Sequence, residues 1–336
     1  MNPSYESRKR LALRSLTESA TWWLAVAVLT CLPRNSYASE SAESRTGQAS
    51  SSSGGSVPTL EELKSTTYKG FKGVKGPVTL VNGKWEGEPF EKGTASRPEV
   101  TLIGDFRLTG DLDKDGANEA VVLLNLTTGG TGQLLYLAVV DRQTETLKNV
   151  ATTFVGDRVQ IRGGRIEDGR IFLDVVQAGP KDAACCPGEV TTHGSTLKPN
   201  GKLNPSMVTD KPGRLTLATI GGAEWVLRAW AIDEPAPEEP EVTLMFKDGR
   251  FVGNGGCNRY FAAAKEGDMP GEVIVGPAGA TRMACPEPAM AVEARFLEQL
   301  GRVKKFGFFV TRLALSYEKD GIWQTMLFER RLQEQR

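Results

Sequence analysis

The chain has 336 residues, with 41 basic and 41 acidic side chains and a formal net charge of zero. This balance, without a basic stripe, argues against nucleic acid as the main partner. His193 is the only histidine, so a histidine-rich zinc site is excluded, and a Ser-His-Asp or Cys-His nucleophile would depend on that one residue.

The N-terminal segment has the organisation of a secretory signal peptide. Basic residues precede an apolar run at 22–29 that is too short to span a bilayer, and small residues precede a cut before Ser39. We therefore expect residues 1–38 to be removed and the mature protein to be periplasmic or secreted, with no transmembrane segment. The alternative is a lipid anchor through Cys31.

The remainder of the chain predicts a mainly β (α+β) protein with two β-rich domains. Residues 39–57 are a disordered linker, because Ser, Glu, Gly and Ala bury too little apolar surface to offset the entropy of ordering. Residues 58–210 and 216–332 contain short apolar runs separated by turn residues at intervals of roughly ten residues. One helix is predicted from Pro288 to Leu300, where apolar residues follow a helical spacing.

Three dipeptides predict tight hairpin turns, because Asn, Asp and Gly tolerate a positive φ. They are Asn82-Gly83, Asp168-Gly169 and Asp248-Gly249.

An Asp-rich segment in the first domain predicts a Ca²⁺ site with a structural role. Asp111, Asp113 and Asp115 alternate before a glycine, and this spacing lets a looping backbone direct several carboxylates at one hard cation. The Ala117 carbonyl and Glu119 occupy the seventh and ninth positions, where further oxygen ligands are expected. The alternative is an acidic, solvated turn capped by its own side chains.

Four cysteines remain after removal of the signal peptide, an even number in an oxidising compartment. Cys257 and Cys285 each lie in a short segment marked by Gly or Pro, and we predict a disulfide between them. They could instead be buried free thiols, or Cys257 could pair with Cys185 or Cys186. The pairing of these two adjacent cysteines stays open.

The motifs around Cys257 and Cys285 carry a family resemblance. Gly-Cys-Asn-Arg at 256–259 and Thr-Arg-Met-Ala-Cys-Pro at 281–286 follow a Leu-Met-Phe-Lys-Asp-Gly-Arg strand and turn and precede Glu293 on the predicted helix. In order and spacing they resemble the META domain (HslJ-like) family. The resemblance implies an antiparallel β fold with one helix in an exported bacterial protein linked to heat-shock and envelope-stress responses. Since the family has no agreed catalytic residues, it supplies no catalytic site.

We therefore expect a non-enzymatic binding or envelope-maintenance module whose partner is an envelope protein or a small ligand. Asn258, Arg259 and Arg282 form a candidate recognition patch; the alternative is a packed turn beside a disulfide. The alternative function is a cell-envelope hydrolase that uses carboxylates such as Asp111 or Glu119.

Overall fold

The computed structural model describes residues 56–331, apart from positions 144, 184 and 210. The predicted signal peptide, the Cys31 alternative, nearly all of the linker and the last residue of the predicted second domain lie outside the described residues. Within them, no helix is both long enough and apolar enough to cross a membrane. The described residues all belong to one compact unit, in which both predicted domains lie. Their boundaries stay a prediction.

The mainly β prediction is confirmed, with 52% of residues in strands against 7% in helices. The first β-rich region begins with the short helix α1 (Leu60–Leu63) and a two-stranded ribbon of β1 (Thr67–Tyr68) and β2 (Val78–Thr79). A five-stranded antiparallel sheet follows, with its strands in chain order. Its members are β3 (Lys84–Glu86), β4 (Glu99–Gly110), β5 (Glu119–Thr127), β6 (Leu134–Gln143) and β7 (Thr146–Asp157).

Strand β5 lies at the centre of this sheet and is buried on both faces. Because successive side chains of a strand point to opposite faces, Val122 and Leu124 pack towards α1 and the ribbon, whereas Val121 and Leu123 face a second sheet. This explains why β5 is a nearly continuous apolar run rather than an alternating pattern.

The second sheet has the order β11-β10-β9-β8, and a short strand β12 also pairs with β10. Its members are β8 (Gln160–Glu167), β9 (Arg170–Gln177), β10 (Glu189–Leu197), β11 (Leu203–Met207) and β12 (Gly213–Arg214). Ile161, Ile171, Leu173 and Val175 complete the core shared with the first sheet.

The C-terminal region is a nine-stranded antiparallel sheet with the order β18-β17-β16-β15-β13-β21-β20-β19, and β14 pairs with β13. A 3₁₀ helix (Leu217–Ile220) leads into it. Its members are β13 (Trp225–Ala231), β14 (Glu234–Pro235), β15 (Thr243–Lys247), β16 (Arg250–Asn254), β17 (Arg259–Glu266), β18 (Val273–Ala280), β19 (Val303–Phe309), β20 (Arg312–Lys319) and β21 (Ile322–Arg330).

This sheet curls until its two ends meet. Glu272 and Lys305 form an isolated antiparallel bridge, and the Phe306 amide donates to the Gly271 carbonyl at 2.7 Å. Helix α2 (Ala289–Leu300) packs against the enclosed core, where Phe296 is fully buried. It begins one residue after the predicted start, because Pro288 occupies the N-cap position.

The β19–β20 hairpin joins the C-terminal region to the core between the first two sheets. At its tip, Val310 and Thr311 have φ values of 46° and 69°, a region that β-branched residues rarely adopt. Val310 is buried among the residues of that core, and the Thr311 amide donates to the Ile161 carbonyl at 2.8 Å. Contacts with a distant part of the chain thus hold a turn that its own sequence does not favour.

Candidate functional site

The Asp-rich loop connects β4 to β5 and gathers its carboxylates at one place. Oxygens of Asp111, Asp113 and Asp115 all lie within 4.8 Å of one another. The loop backbone turns at Lys114 and Gly116, whose φ values are 67° and 90°. The Asp111 carboxylate accepts hydrogen bonds from both of these amides, at 2.6 and 3.2 Å. The structure therefore brings together the three aspartates that the sequence singled out.

Glu119, the first residue of β5, differs from the aspartates because its exposed fraction is 0%. Its Oε2 accepts a hydrogen bond from the Leu112 amide at 2.7 Å, so the carboxylate lies against the loop backbone. Its Oε1 is buried and has no hydrogen-bond partner. Burial, followed by the charges of Asp113, Asp141 and Asp115, raises the pKa of Glu119 to about 7.

Ala117, the remaining predicted ligand, lies between the aspartates and Glu119. Its amide donates to Asp115 at 2.8 Å, which leaves its carbonyl as the group that the spacing assigns to a cation. The sequence did not single out Asp141, near the end of β6, whose charge adds to burial in raising the pKa of both Asp113 and Glu119. It lies 22 positions after Glu119 along the chain and carries no local motif.

The structure contains the predicted disulfide between Cys257 and Cys285, which are 28 positions apart. It links the turn between β16 and β17 to the segment that precedes α2. Cys185 and Cys186 are both free thiols, the first exposed and the second half-buried.

Asn258, next to the disulfide, forms a buried network with Glu293 on α2. Their exposed fractions are 2% and 7%. The Asn258 side-chain amide donates to Glu293 Oε1 at 3.0 Å and to the Met283 carbonyl at 3.2 Å. Its oxygen accepts from the Thr281 hydroxyl at 2.7 Å and from the Met283 amide at 2.8 Å. The Asn258 backbone amide donates to Glu293 Oε2.

The burial of Asn258 changes the composition of the predicted recognition patch. Its side chain is not available to a partner in this structure, because the network uses it fully. Arg259 and Arg282 are exposed, and their guanidinium groups form no hydrogen bond or ion pair with another described residue. Glu293, which could have paired with either arginine, bonds Asn258 instead. The surface part of the patch therefore consists of the two arginines.

His193 has the environment of a structural residue. It is half-buried in β10, its Nε2 lies 2.9 Å from the Gln177 side-chain oxygen, and burial lowers its pKa. No serine, cysteine or carboxylate among the described residues forms a hydrogen bond with its ring.

A cavity of about 640 Å³ lies where the β19–β20 hairpin meets the first sheet, and its wall is largely apolar. Its lining includes Ile103, Leu135, Val159, Phe308 and Val310. The sequence did not indicate this cavity, since its walls come from segments far apart in the chain.

Comparison with protein families gives a match, which lies in the C-terminal region. The model of the META domain family matches residues 216–329. Curated proteins provide no match. Among solved structures, the NMR structure of a protein from Burkholderia xenovorans is 25% identical, with 39% of this chain and 98% of that chain covered and a TM-score of 0.28. A second NMR structure is 20% identical, with 34% of this chain and 93% of that chain covered and the same TM-score of 0.28.

TM-scores this low say nothing about the fold or the function, so the assignment depends on the family match alone. That match agrees with the order of motifs around Cys257 and Cys285. Residues 216–329 of this chain are a META domain.

Proposed function

We propose that this protein is an exported, non-enzymatic binding module of the bacterial cell envelope, and that the exposed Arg259 and Arg282 contact its partner. A META domain suggests an envelope- or stress-related protein family, which supports this assignment. To this family-level assignment we add a binding surface, formed by Arg259 and Arg282, and a mode of action, which is binding without catalysis.

The observation that carries the proposal is the contrast between Asn258 and its two neighbouring arginines. The side chains of Asn258 and Glu293 are hydrogen-bonded to each other, and Asn258 also bonds the segment at 281–283. Groups engaged in this way brace the disulfide-linked turn and are poorly placed to act on a substrate. The guanidinium groups of Arg259 and Arg282, in contrast, have no partner within the described residues.

The surroundings of the arginines indicate the chemistry of the partner. The Thr281 amide donates a hydrogen bond to the Arg259 carbonyl at 3.0 Å, so the backbone of the next residue, Arg282, lies near that of Arg259. Met283, the next residue, is 59% exposed. Two fork-shaped cations beside a flexible apolar side chain suit a partner that carries carboxylate or phosphate groups next to apolar surface.

Export is supported by the Cys257–Cys285 disulfide, since such bonds persist mainly in oxidising compartments. N-terminal sequencing of protein recovered from the bacterial envelope tests this directly. We expect a mature start at Ser39 and recovery in the periplasmic fraction. A lipid-modified start at Cys31, with recovery in membranes, would contradict a soluble exported form.

The binding proposal is tested with the full exported chain in its native host. Arg259→Glu and Arg282→Glu are combined, and Lys247→Glu serves as a matched control because Lys247 is exposed in the same domain and forms no ion pair with another described residue. Chemical crosslinking followed by mass spectrometry should identify envelope partners that the double variant loses by about tenfold or more, the factor that corresponds to roughly 1.4 kcal/mol. The control should keep them.

Two results would contradict this function. One is a double variant that crosslinks as wild type does. The other is turnover of envelope polymers by the purified protein that is lost in Asp111→Asn, which would favour the carboxylate hydrolase instead.

A further inference from the structure

The first domain contains an acidic site that the partner surface of the META domain does not explain. We propose that the β4–β5 loop binds one Ca²⁺ ion through carboxylate oxygens of Asp111, Asp113, Asp115 and Glu119 and the carbonyl of Ala117. This site is independent of the function proposed above.

The aspartates alone would be an ordinary acidic turn, because their hydrogen bonds to the loop amides also occur in such turns. Glu119 provides the independent observation. Its carboxylate is fully buried, and one of its two oxygens has no partner. Buried carboxylates are normally hydrogen-bonded, paired or coordinated to a metal, since an unsatisfied one costs substantial free energy.

The unpartnered oxygen belongs to the loop rather than to another part of the core. Glu119 Oε2 receives the Leu112 amide from within the loop, so Oε1, on the same carboxyl group, lies beside the same segment. Leu112 lies between Asp111 and Asp113 in the chain, so its hydrogen bond to Glu119 Oε2 holds this carboxylate beside the segment that carries both aspartates. A cation among these groups would supply the partner that Oε1 lacks.

No ion pair with a basic side chain neutralises this cluster within the described part of the chain. None of the ion pairs among the described residues involves Asp111, Asp113, Asp115, Asp141 or Glu119. Several carboxylates without a counter-ion suit a divalent cation, and an all-oxygen set supplied by a looping backbone suits Ca²⁺ better than the smaller Mg²⁺, which keeps more of its water.

The position of the loop indicates what the ion would stabilise. Leu112, between two of the proposed ligands, is buried in the core shared by the first two sheets. The β8–β9 turn lies against the loop, since a Cβ atom added at Gly169 would lie 3.3 Å from the Asp111 carbonyl oxygen. A bound ion would therefore hold the loop, the Leu112 anchor and the neighbouring turn in one arrangement, which is a structural role.

The test is thermal unfolding of the full exported chain after treatment with a chelator, followed by titration with CaCl₂ and, separately, MgCl₂. We expect a dissociation constant on the order of 10⁻⁴ M, as in extracellular Ca²⁺ modules. At a free Ca²⁺ concentration about ten times that constant, the unfolded fraction should fall about tenfold, and the melting temperature should rise accordingly. Mg²⁺ should have a smaller effect.

Variants locate the site. Asp113→Asn and Asp115→Asn replace exposed side chains, so both should fold and lose most of the Ca²⁺ response. Asp268→Asn is the matched control, since Asp268 is exposed in the META domain and forms no ion pair within the described part of the chain, and it should respond as wild type does. Glu119→Gln keeps the shape of the side chain and should also remove the response.

The proposal is overturned if wild-type melting is unchanged by Ca²⁺ and by chelator, which is the behaviour of a simple acidic turn. It is equally overturned if Asp113→Asn and Asp115→Asn keep the full response, because Ca²⁺ would then bind elsewhere. If Glu119→Gln does not fold, the two aspartate variants still decide the outcome.

Discussion

The network around Asn258 makes the most direct prediction about stability. In Asn258→Ala, the side chain loses four hydrogen bonds that join the disulfide-linked turn, the segment at 281–283 and α2. The change leaves Glu293 Oε1 without its partner in a residue that is only 7% exposed. We therefore expect Asn258→Ala to lower the free energy of unfolding substantially, because the Asn258 side chain is almost fully buried.

The magnitude follows from the count of bonds. A typical intramolecular hydrogen bond contributes about 1 kcal/mol net, and one to a charged group somewhat more, so four bonds correspond to about 4 kcal/mol. That loss lowers the ratio of folded to unfolded protein by roughly a thousandfold. It is a large share of the total stability of a native protein, which is about 5–15 kcal/mol.

Urea unfolding followed by tryptophan fluorescence measures this loss, because Trp225 and Trp230 are buried in the core of the META domain. With an m value of about 3 kcal/mol/M, at the upper end of the usual range in urea, the midpoint should fall by roughly 1.3 M. Asn254→Ala is the matched control: Asn254 is exposed and its side chain accepts one hydrogen bond, from the Gly256 amide, so its loss should stay below about 1 kcal/mol. Equal losses in the two variants would refute the reasoning that the network stabilises the domain.

Three further predictions concern separate parts of the chain. Replacing Cys257 and Cys285 together with alanine should cost about 3.5 kcal/mol by the loop-closure estimate for residues 28 positions apart, and free thiols at both positions in a non-reduced digest of exported protein would contradict the bridge. Arg142 donates a hydrogen bond to the Glu62 carboxylate at 2.6 Å, and this bond is the largest cause that lowers the pKa of Glu62 from 4.5 to about 2. The carboxylate therefore contributes stability above pH 4.5 that is lost as the pH falls towards 2. Glu62→Gln should therefore be less stable than wild type near neutral pH and converge with it in acid, whereas a constant difference across an acid titration would show this assignment to be wrong. Thr311→Gly should raise stability by up to about 1 kcal/mol in calorimetry, because glycine adopts a φ of 69° without strain; a lower melting temperature would count against strain at this turn.

Turns that depend on local chemistry were predictable from neighbouring residues. At Asn82-Gly83, Asp168-Gly169 and Asp248-Gly249, both residues have positive φ in the structure, as the dipeptides predict. Each pair encodes its own backbone preference, so no tertiary information is needed. The turn at Val310-Thr311 could not be found in this way, because β-branched residues oppose the conformation and distant contacts impose it.

The candidate sites also contain features that the local sequence predicts and features that depend on tertiary packing. The alternation of Asp111, Asp113 and Asp115 is a local pattern, and the structure places these carboxylates together. The burial of Glu119 depends on how the first two sheets pack, and it separates a candidate cation site from an acidic turn. The charge of Asp141 reaches the loop only through the pairing of β5 with β6.

By itself, the sequence determined the mainly β class, the helix that ends at Leu300, the hairpin turns and the META motifs, because spacing, residue type and backbone preference lie within short segments. Only the tertiary structure decided that Asn258 bonds Glu293, 35 positions away, and that the exposed guanidinium groups of Arg259 and Arg282 have no partner among the described residues. The physical reason is that burial and hydrogen-bond partnership are properties of packed surfaces. Those surfaces form only when segments far apart in the chain come together.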